Sequence, residues 1–173
     1  MSSKKSLIAY YSRRGQNCKG GSIVSLEEGN TEVIAKMIQK ITDSDIFHID
    51  TIKPYPEDYS ETTQKAKVEL NENARPELKN HIENIDDYDL IFLGFPNWWS
   101  TMPMAVFTFL EEYDFTNKTI VPFCTHGGGG FGSSIRDIEK IVPNVTIKEG
   151  LDINGSDVNN SEDKVSKWLK TIL

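Results

Sequence analysis

The chain is short of the features that mark several common classes of protein. Cysteine occurs only at Cys18 and Cys124, too few for a disulfide framework or a thiolate zinc site. No cluster of His, Cys, Asp and Glu has metal-ligand spacing, so no metal is expected. No apolar run approaches the ~20 residues of a membrane helix. The run behind the basic MSSKK start, Leu7 to Tyr11, is too short for a signal peptide. A cytoplasmic protein without a membrane partner is expected. Positive charge is scarce too: 19 Lys and Arg face 26 Asp and Glu, a net −7. Such a surface repels nucleic-acid phosphate, and it serves either solubility or the steering of a basic partner. Missing motifs exclude more. Without G-x-x-x-x-G-K-[ST] there is no P-loop, without G-x-G-x-x-G no dinucleotide fingerprint, and without G-x-S-x-G no nucleophile elbow.

What is present is a regular alternation. Ser6–Tyr11 predicts a buried strand, and Thr31–Ile41 carries Val33, Ile34, Met37, Ile38 and Ile41 at helical spacing, with Asn30 or Thr31 as cap. Asp45–Asp50 alternates as a strand, and Tyr59–Leu70 predicts a helix. Leu90–Phe95 is continuously apolar, as a strand covered on both faces should be. Pro103 opens a helix with Val106, Phe107, Phe109 and Leu110. Thr119–Cys124 is a fourth strand, followed by a helix capped by Ser133 or Ser134. Val145–Ile153 is a fifth strand, and Val165, Trp168, Leu169 and Ile172 stripe a last helix. The 173 residues suit one domain. Strands alternating with helices predict a doubly wound five-stranded parallel sheet, order 2-1-3-4-5, with helices on both faces.

In such a sheet ligands bind beyond the C-terminal strand ends, at the switch point between the first and third strands. The loops that meet there are unusual. The first runs Ser12-Arg13-Arg14-Gly15-Gln16-Asn17 and ends Gly29-Asn30-Thr31 at a helix start. Free N–H groups there, with hydroxyl and amide side chains, make an anion site to which Arg13 or Arg14 adds charge; a plain capped loop uses the same residue types. The second loop, Pro96-Asn97-Trp98-Trp99-Ser100-Thr101, places two indoles in polar surroundings. They cover a flat aromatic ligand, or one or both cap the core. The third, Thr125-His126-Gly127-Gly128-Gly129-Gly130, gives up backbone entropy for close main-chain approach to a ligand, the alternative being a flexible linker. His126 stands beyond the fourth strand, either structural or a candidate catalytic group. Acidic residues expected of a phosphoacceptor receiver beyond the first strand are replaced by Ser12-Arg13-Arg14.

With these loops in hand, the sequence resembles the flavodoxin family over nearly its whole length. The resemblance is carried by Tyr11-Ser12, Gly15, Gly29-Asn30-Thr31-Glu32, Gly94 with Pro96-Asn97-Trp98-Trp99, and Pro122-Phe123-Cys124-Thr125-His126. It implies FMN as cofactor, with Ser12, Asn17, Asn30 and Thr31 on the phosphate. Pro96, Asn97, Trp98 and Trp99 would flank the isoalloxazine, and Thr125, His126, Gly127 and Gly128 would meet its other side and edge. Arg14 belongs to the same set through the anion site. Two departures stand out. Residues 18–29 are inserted before Asn30, as a small hairpin at the rim. No glycine lies between Pro96 and Pro103, where many flavodoxins use one to stabilise the flavin semiquinone, and neither the Gly94–Ala105 nor the Phe123–Ser134 stretch holds an Asp or Glu. Both points favour two-electron reduction. The expected role is an NAD(P)H-dependent reductase of a small acceptor. A non-enzymatic carrier between redox proteins and a flavin-free scaffold are the alternatives.

Overall fold

Side-chain alternation along the central strands decides which helices cover which face. The computed structural model describes residues 5–19 and 21–173. Its main sheet contains β1 (Lys5–Tyr10), β4 (Asp45–His48), β5 (Tyr88–Pro96), β6 (Thr119–His126), β7 (Thr146–Ile147) and β8 (Leu151–Asn154). The order is β4-β1-β5-β6-β7, with β8 also on β6, and every pairing is parallel. This is the expected 2-1-3-4-5 order with the last strand in two pieces. Leu7, Ala9, Ile91, Leu93 and Phe95 face one side, under α3 (Met104–Glu112) and α4 (Ser134–Ile141), with α2 (Tyr59–Asn71) contributing Leu70. Ile8, Tyr10, Phe92, Val121 and Phe123 face the other, under α1 (Asn30–Thr42) and α5 (Glu162–Ile172). Phe92, Phe95, Phe109 and Phe123 are fully buried, each stabilising by roughly 1.5–3 kcal/mol.

The predicted continuous strand Val145–Ile153 is corrected by a break. Ile147 pairs with Ile120 and Leu151 with Phe123, leaving one more residue on the last strand than on β6 between them. Pro122 sits opposite that gap and has no N–H to donate, so the ladder lapses and bulges there. The inserted segment forms an antiparallel hairpin of β2 (Gly15–Lys19) and β3 (Ser22–Leu26), with Asn17 opposite Val24. It begins earlier than the expected insertion, so Asn17 lies on a strand and not in a loop. Among the described residues no helix is long and apolar enough to cross a membrane.

Candidate functional site

The start of α1 is capped from a distance. The N-cap residue is Gly29, not Asn30 or Thr31, which are the first helical residues. The hydroxyl that caps comes from Ser12 at the end of β1, whose Oγ accepts the Glu32 N–H at 3.1 Å. Glu32 reaches back, its Oε1 accepting the Gly29 N–H at 3.2 Å, so the two acceptors form a capping box shared between β1 and α1. A Cβ at Gly29 would meet Ser12 Oγ at 2.1 Å, which is why a glycine stands there. The Asn30 and Thr31 N–H groups remain the helix-start donors that have no intrahelical acceptor. Thr31 is buried, its hydroxyl 2.8 Å from that of Thr125 on β6. Ser12, Asn30, Thr31 and Thr125 are thus drawn to one end of the sheet.

Successive residues past a strand end point opposite ways, and the two arginines diverge accordingly. Arg14 turns to α1 and is bound by Glu32, Nε to Oε1 at 3.0 Å and Nη2 to Oε2 at 2.6 Å. Arg13 turns to α2, where Nη2 donates to the carbonyls of Pro56 and Glu57, both at 2.7 Å. Its Nη1 is buried with no hydrogen-bond partner among the described residues. Burial pushes the Arg13 pKa down, yet a guanidinium stays protonated. Arg14, the arginine singled out from the sequence, is already neutralised by a carboxylate; Arg13 is the one with an open donor.

The Trp loop departs from expectation. A glycine-free segment should resist positive φ, yet Trp99 and Ser100 sit at φ 55 and 70. They are the centre of a tight turn in which Trp98 and Thr101 exchange main-chain bonds of 2.8 and 3.2 Å, the type I′ pattern. Neighbours hold it there. Asn97 Oδ1 accepts the Ser100 N–H at 2.9 Å, Ser133 donates its N–H and hydroxyl to the Ser100 carbonyl, and Trp99 Nε1 donates to the Thr63 carbonyl at 2.9 Å. Gly132 comes so close that a Cβ would meet Ser100 O at 2.2 Å. Ser133, the N-cap residue of α4, therefore serves the turn and does not cap with its side chain. Trp98 packs edge-on to Tyr11 and Tyr55, at 5.2 Å from each, whereas Trp99 is 48% exposed. One indole closes the core and the other faces out.

Past β6, His126 Nδ1 accepts the Gly128 N–H at 2.9 Å and Nε2 lies 2.9 Å from Asp152 Oδ2. A nitrogen that accepts bears no proton, so Nε2 carries it and donates to Asp152. The two acid-free loops are nonetheless held by acids from other elements: β8 supplies Asp152 to His126, and α4 supplies Asp137 to Thr101 and Ser133. Asn97 Nδ2 donates to Gly130 O at 2.8 Å, tying the second and third loops together.

The hairpin strand β2 divides the crevice. On one side a cavity of about 330 Å³ is lined by Arg13, Asn17, Tyr59, Asn97, Trp98 and Trp99, with Thr62, Thr63 and Ala66 of α2. On the other a cavity of about 270 Å³ is lined by Cys18, Gly21, His126, Gly127, Asn154, Gly155 and Ser156. Asn17 and Cys18 face different cavities, as neighbours on a strand do. Pro96 ends β5, paired with Thr125. Sequence reasoning missed Tyr59, Asp152 and the α2 wall. They carry no local signal, because each reaches the site from an element distant along the chain.

An open doubly wound sheet whose switch-point crevice is lined by the loops after β1, β5 and β6 defines a ligand-binding protein of the flavodoxin-like fold. The chain belongs to the flavodoxin family: residues 22–172 match the family's profile, described as flavodoxin. A flavodoxin from Haemophilus influenzae is 31% identical over 104 residues, 58% of this chain and 45% of that protein, so the chain spans less than half of that relative's length. A candidate flavoprotein from Bacteroides eggerthii is 30% identical, covers 98% of both chains and superposes with a TM-score of 0.78. A Lactobacillus acidophilus flavoprotein, crystallised in complex with FMN, shares the fold at 21% identity, with a TM-score of 0.65 over 95% of this chain and 99% of its own.

Proposed function

We propose that this chain binds FMN in the switch-point crevice and works in hydride or electron transfer, as an NAD(P)H-dependent reductase of a small acceptor. The observation that carries the reading is the cavity of about 330 Å³ at the C-terminal ends of β1 and β5, where the Arg13 side chain and the Asn97-Trp98-Trp99 run share one wall. Its size falls in the range of ligand sites, and aromatic walls with a few polar groups suit a flat ligand. A Cβ at Gly127 or Gly128 would meet nothing within 4 Å, so the main chain there stands open to a ligand edge. The residues beyond the strand ends have the donors and aromatic surface that the cofactor needs, divided between the two cavities on either side of β2.

When bound, FMN would supply the redox chemistry, accepting hydride and passing electrons on. The chain's own residues bind and orient. The N–H groups of Asn30 and Thr31, at the positive end of α1, with Ser12 and Asn17 beside them, would hold the phosphate. Asn97, Trp98 and Trp99, following Pro96, would flank the ring. Thr125, His126, Gly127 and Gly128 would meet its other side and edge. Arg14 orders the phosphate end through Glu32. The exposed Trp99, beside Lys67 Nζ at 4.9 Å, supports a second reading, a carrier that hands electrons to a protein partner across this rim. Purified protein titrated with FMN and then assayed for NAD(P)H oxidation with a quinone acceptor tests both. Flavin uptake with acceptor-dependent turnover is expected. Uptake without turnover leaves the carrier, and a colourless protein that takes up no FMN leaves the scaffold.

A further inference from the structure

We propose that the β2–β3 hairpin is a hinged lid over the crevice, which lifts to admit FMN and closes across it once bound. The inference rests on the FMN reading and adds to it the part of the chain that governs entry and release. β2 runs between the two cavities, with Asn17 on the wall of one and Cys18 on the wall of the other. The groups assigned to the cofactor are split accordingly, Trp98 and Trp99 on one side, His126 and Gly127 on the other. Asn30 and Thr31, at the start of α1, line neither cavity. One ligand that touches all three groups needs β2 to move.

The hairpin can swing as a unit. Its strands pair with each other, from Gly15 opposite Leu26 to Lys19 opposite Ser22, and with no strand of the main sheet. No residue of β2 or β3 is buried, so little apolar contact opposes lifting them. Gly15, where β2 leaves the first loop, sits at φ 83 with open space where a Cβ would stand, so the chain bends there without steric penalty. The ends on either side stay fixed. Arg14 is bound to Glu32, Arg13 Nη2 to the carbonyls of Pro56 and Glu57, and Gly29 is wedged against Ser12.

The catch that holds the lid down is at Tyr59. This residue opens α2, and its N–H has no acceptor within the helix. Gln16 of β2 supplies one, its Oε1 accepting that N–H at 2.9 Å. Cys18 lies beside the Tyr59 side chain and adds to burial in pushing the Tyr59 pKa up. Across the hinge itself, Asn17 Nδ2 donates to the Arg13 carbonyl at 2.7 Å. Side-chain bonds of this kind, part exposed to water, break and re-form readily.

The Tyr59 amide reports the lid without any ligand, because its acceptor belongs to the hairpin. Cys18 offers a handle: it is exposed, whereas Cys124 is buried and burial pushes its pKa up, leaving it an unreactive thiol. In Ser156→Cys the new thiol and Cys18 face one cavity and can be joined by a bis-maleimide with a reducible linker. Cutting the linker keeps both adducts and frees the hairpin. Joined protein should exchange the Tyr59 amide hydrogen roughly tenfold more slowly than cut protein, while the Thr62 amide, bonded to the Asp58 carbonyl, keeps its rate. FMN uptake should slow roughly tenfold when the linker is joined before loading, and FMN release likewise when it is joined after loading. Without any cross-link, Gln16→Ala should take up and release FMN faster than wild type. Protein that binds FMN yet shows the same rates joined and cut, or wild-type rates in Gln16→Ala, overturns the lid alone. Wild-type protein that takes up no FMN overturns the cofactor reading and with it a lid for FMN.

Discussion

Arg14 lies along Glu32 with two guanidinium nitrogens engaged, Nε at 3.0 Å and Nη2 at 2.6 Å, while the same carboxylate accepts the Gly29 N–H. The Glu32 side chain is only 5% exposed. The contact thus joins the first loop to the start of α1, where the cofactor's phosphate is proposed to sit.

That pairing makes stability depend on pH. The Arg14 guanidinium holds the Glu32 carboxyl below its usual 4.5, aided by the Gly29 N–H and Lys36, against the opposing effect of burial. A depressed folded-state value means the stabilisation is complete above the unfolded value and is lost as pH falls through the folded one. Glu32→Gln should cost roughly 1.5–3 kcal/mol at neutral pH, the range for hydrogen bonds to charged groups. Urea midpoints taken at descending pH should show the gap to wild type closing below the carboxylate range. A gap that stays constant into acid would rule out the charged pair as its source.

The turn at Trp99 and Ser100 stores strain. Left-handed backbone costs a residue with a Cβ roughly 1–2 kcal/mol, and glycine is exempt at an entropic cost of roughly 0.5–1 kcal/mol. Ser100→Gly should therefore stabilise the fold by up to ~1 kcal/mol, read as a higher urea midpoint with unchanged slope. A lower midpoint would mean that the turn is not strained at φ 70.

Much of this was legible before the structure. Strand and helix stripes were clear because burial on two faces imposes apolar runs of different period, and the three loops stood out because Trp pairs and glycine runs are costly without a purpose. Three features were hidden for one reason, which is that tertiary partners decide them. Arg13 and Arg14 are neighbours of one type, and only Glu32 on one side and the carbonyls of Pro56 and Glu57 on the other tell them apart. Asp152 lies 26 positions beyond His126 and reaches it through the pairing of β8 with β6. The positive φ of Trp99 and Ser100 is imposed by Asn97, Ser133 and Gly132, against local preference.

The two indoles should separate in mutation. Trp98 fills core space against Tyr11 and Tyr55, so Trp98→Ala should cost roughly 3–5 kcal/mol of folding stability and its effect on FMN would be confounded. Trp99→Ala removes a half-exposed ring together with its bond to the Thr63 carbonyl, so it should lower the urea midpoint only by the roughly 0.5–1.5 kcal/mol of one such bond. It should weaken FMN binding by roughly 0.5–1.5 kcal/mol if the ring stacks on the flavin. An unaltered dissociation constant for Trp99→Ala would take that ring out of the site.

The glycine loop is pinned through His126, and the two ends of that contact should not be equivalent. Nδ1 fixes Gly128, a residue at φ 133 that only glycine adopts readily, so His126→Ala frees the N–H and the loop together. Asp152 is half exposed and acts one step back, by keeping the proton on Nε2. In Asp152→Ala water can accept that proton's hydrogen bond, and the Gly128 contact survives. His126→Ala should therefore lower FMN affinity more than Asp152→Ala does, and proton NMR of the imidazole should still find the proton on Nε2 in Asp152→Ala. Equal losses in the two variants would make Asp152 as necessary as the ring itself. Unchanged affinity in His126→Ala would detach the glycine loop from cofactor binding altogether.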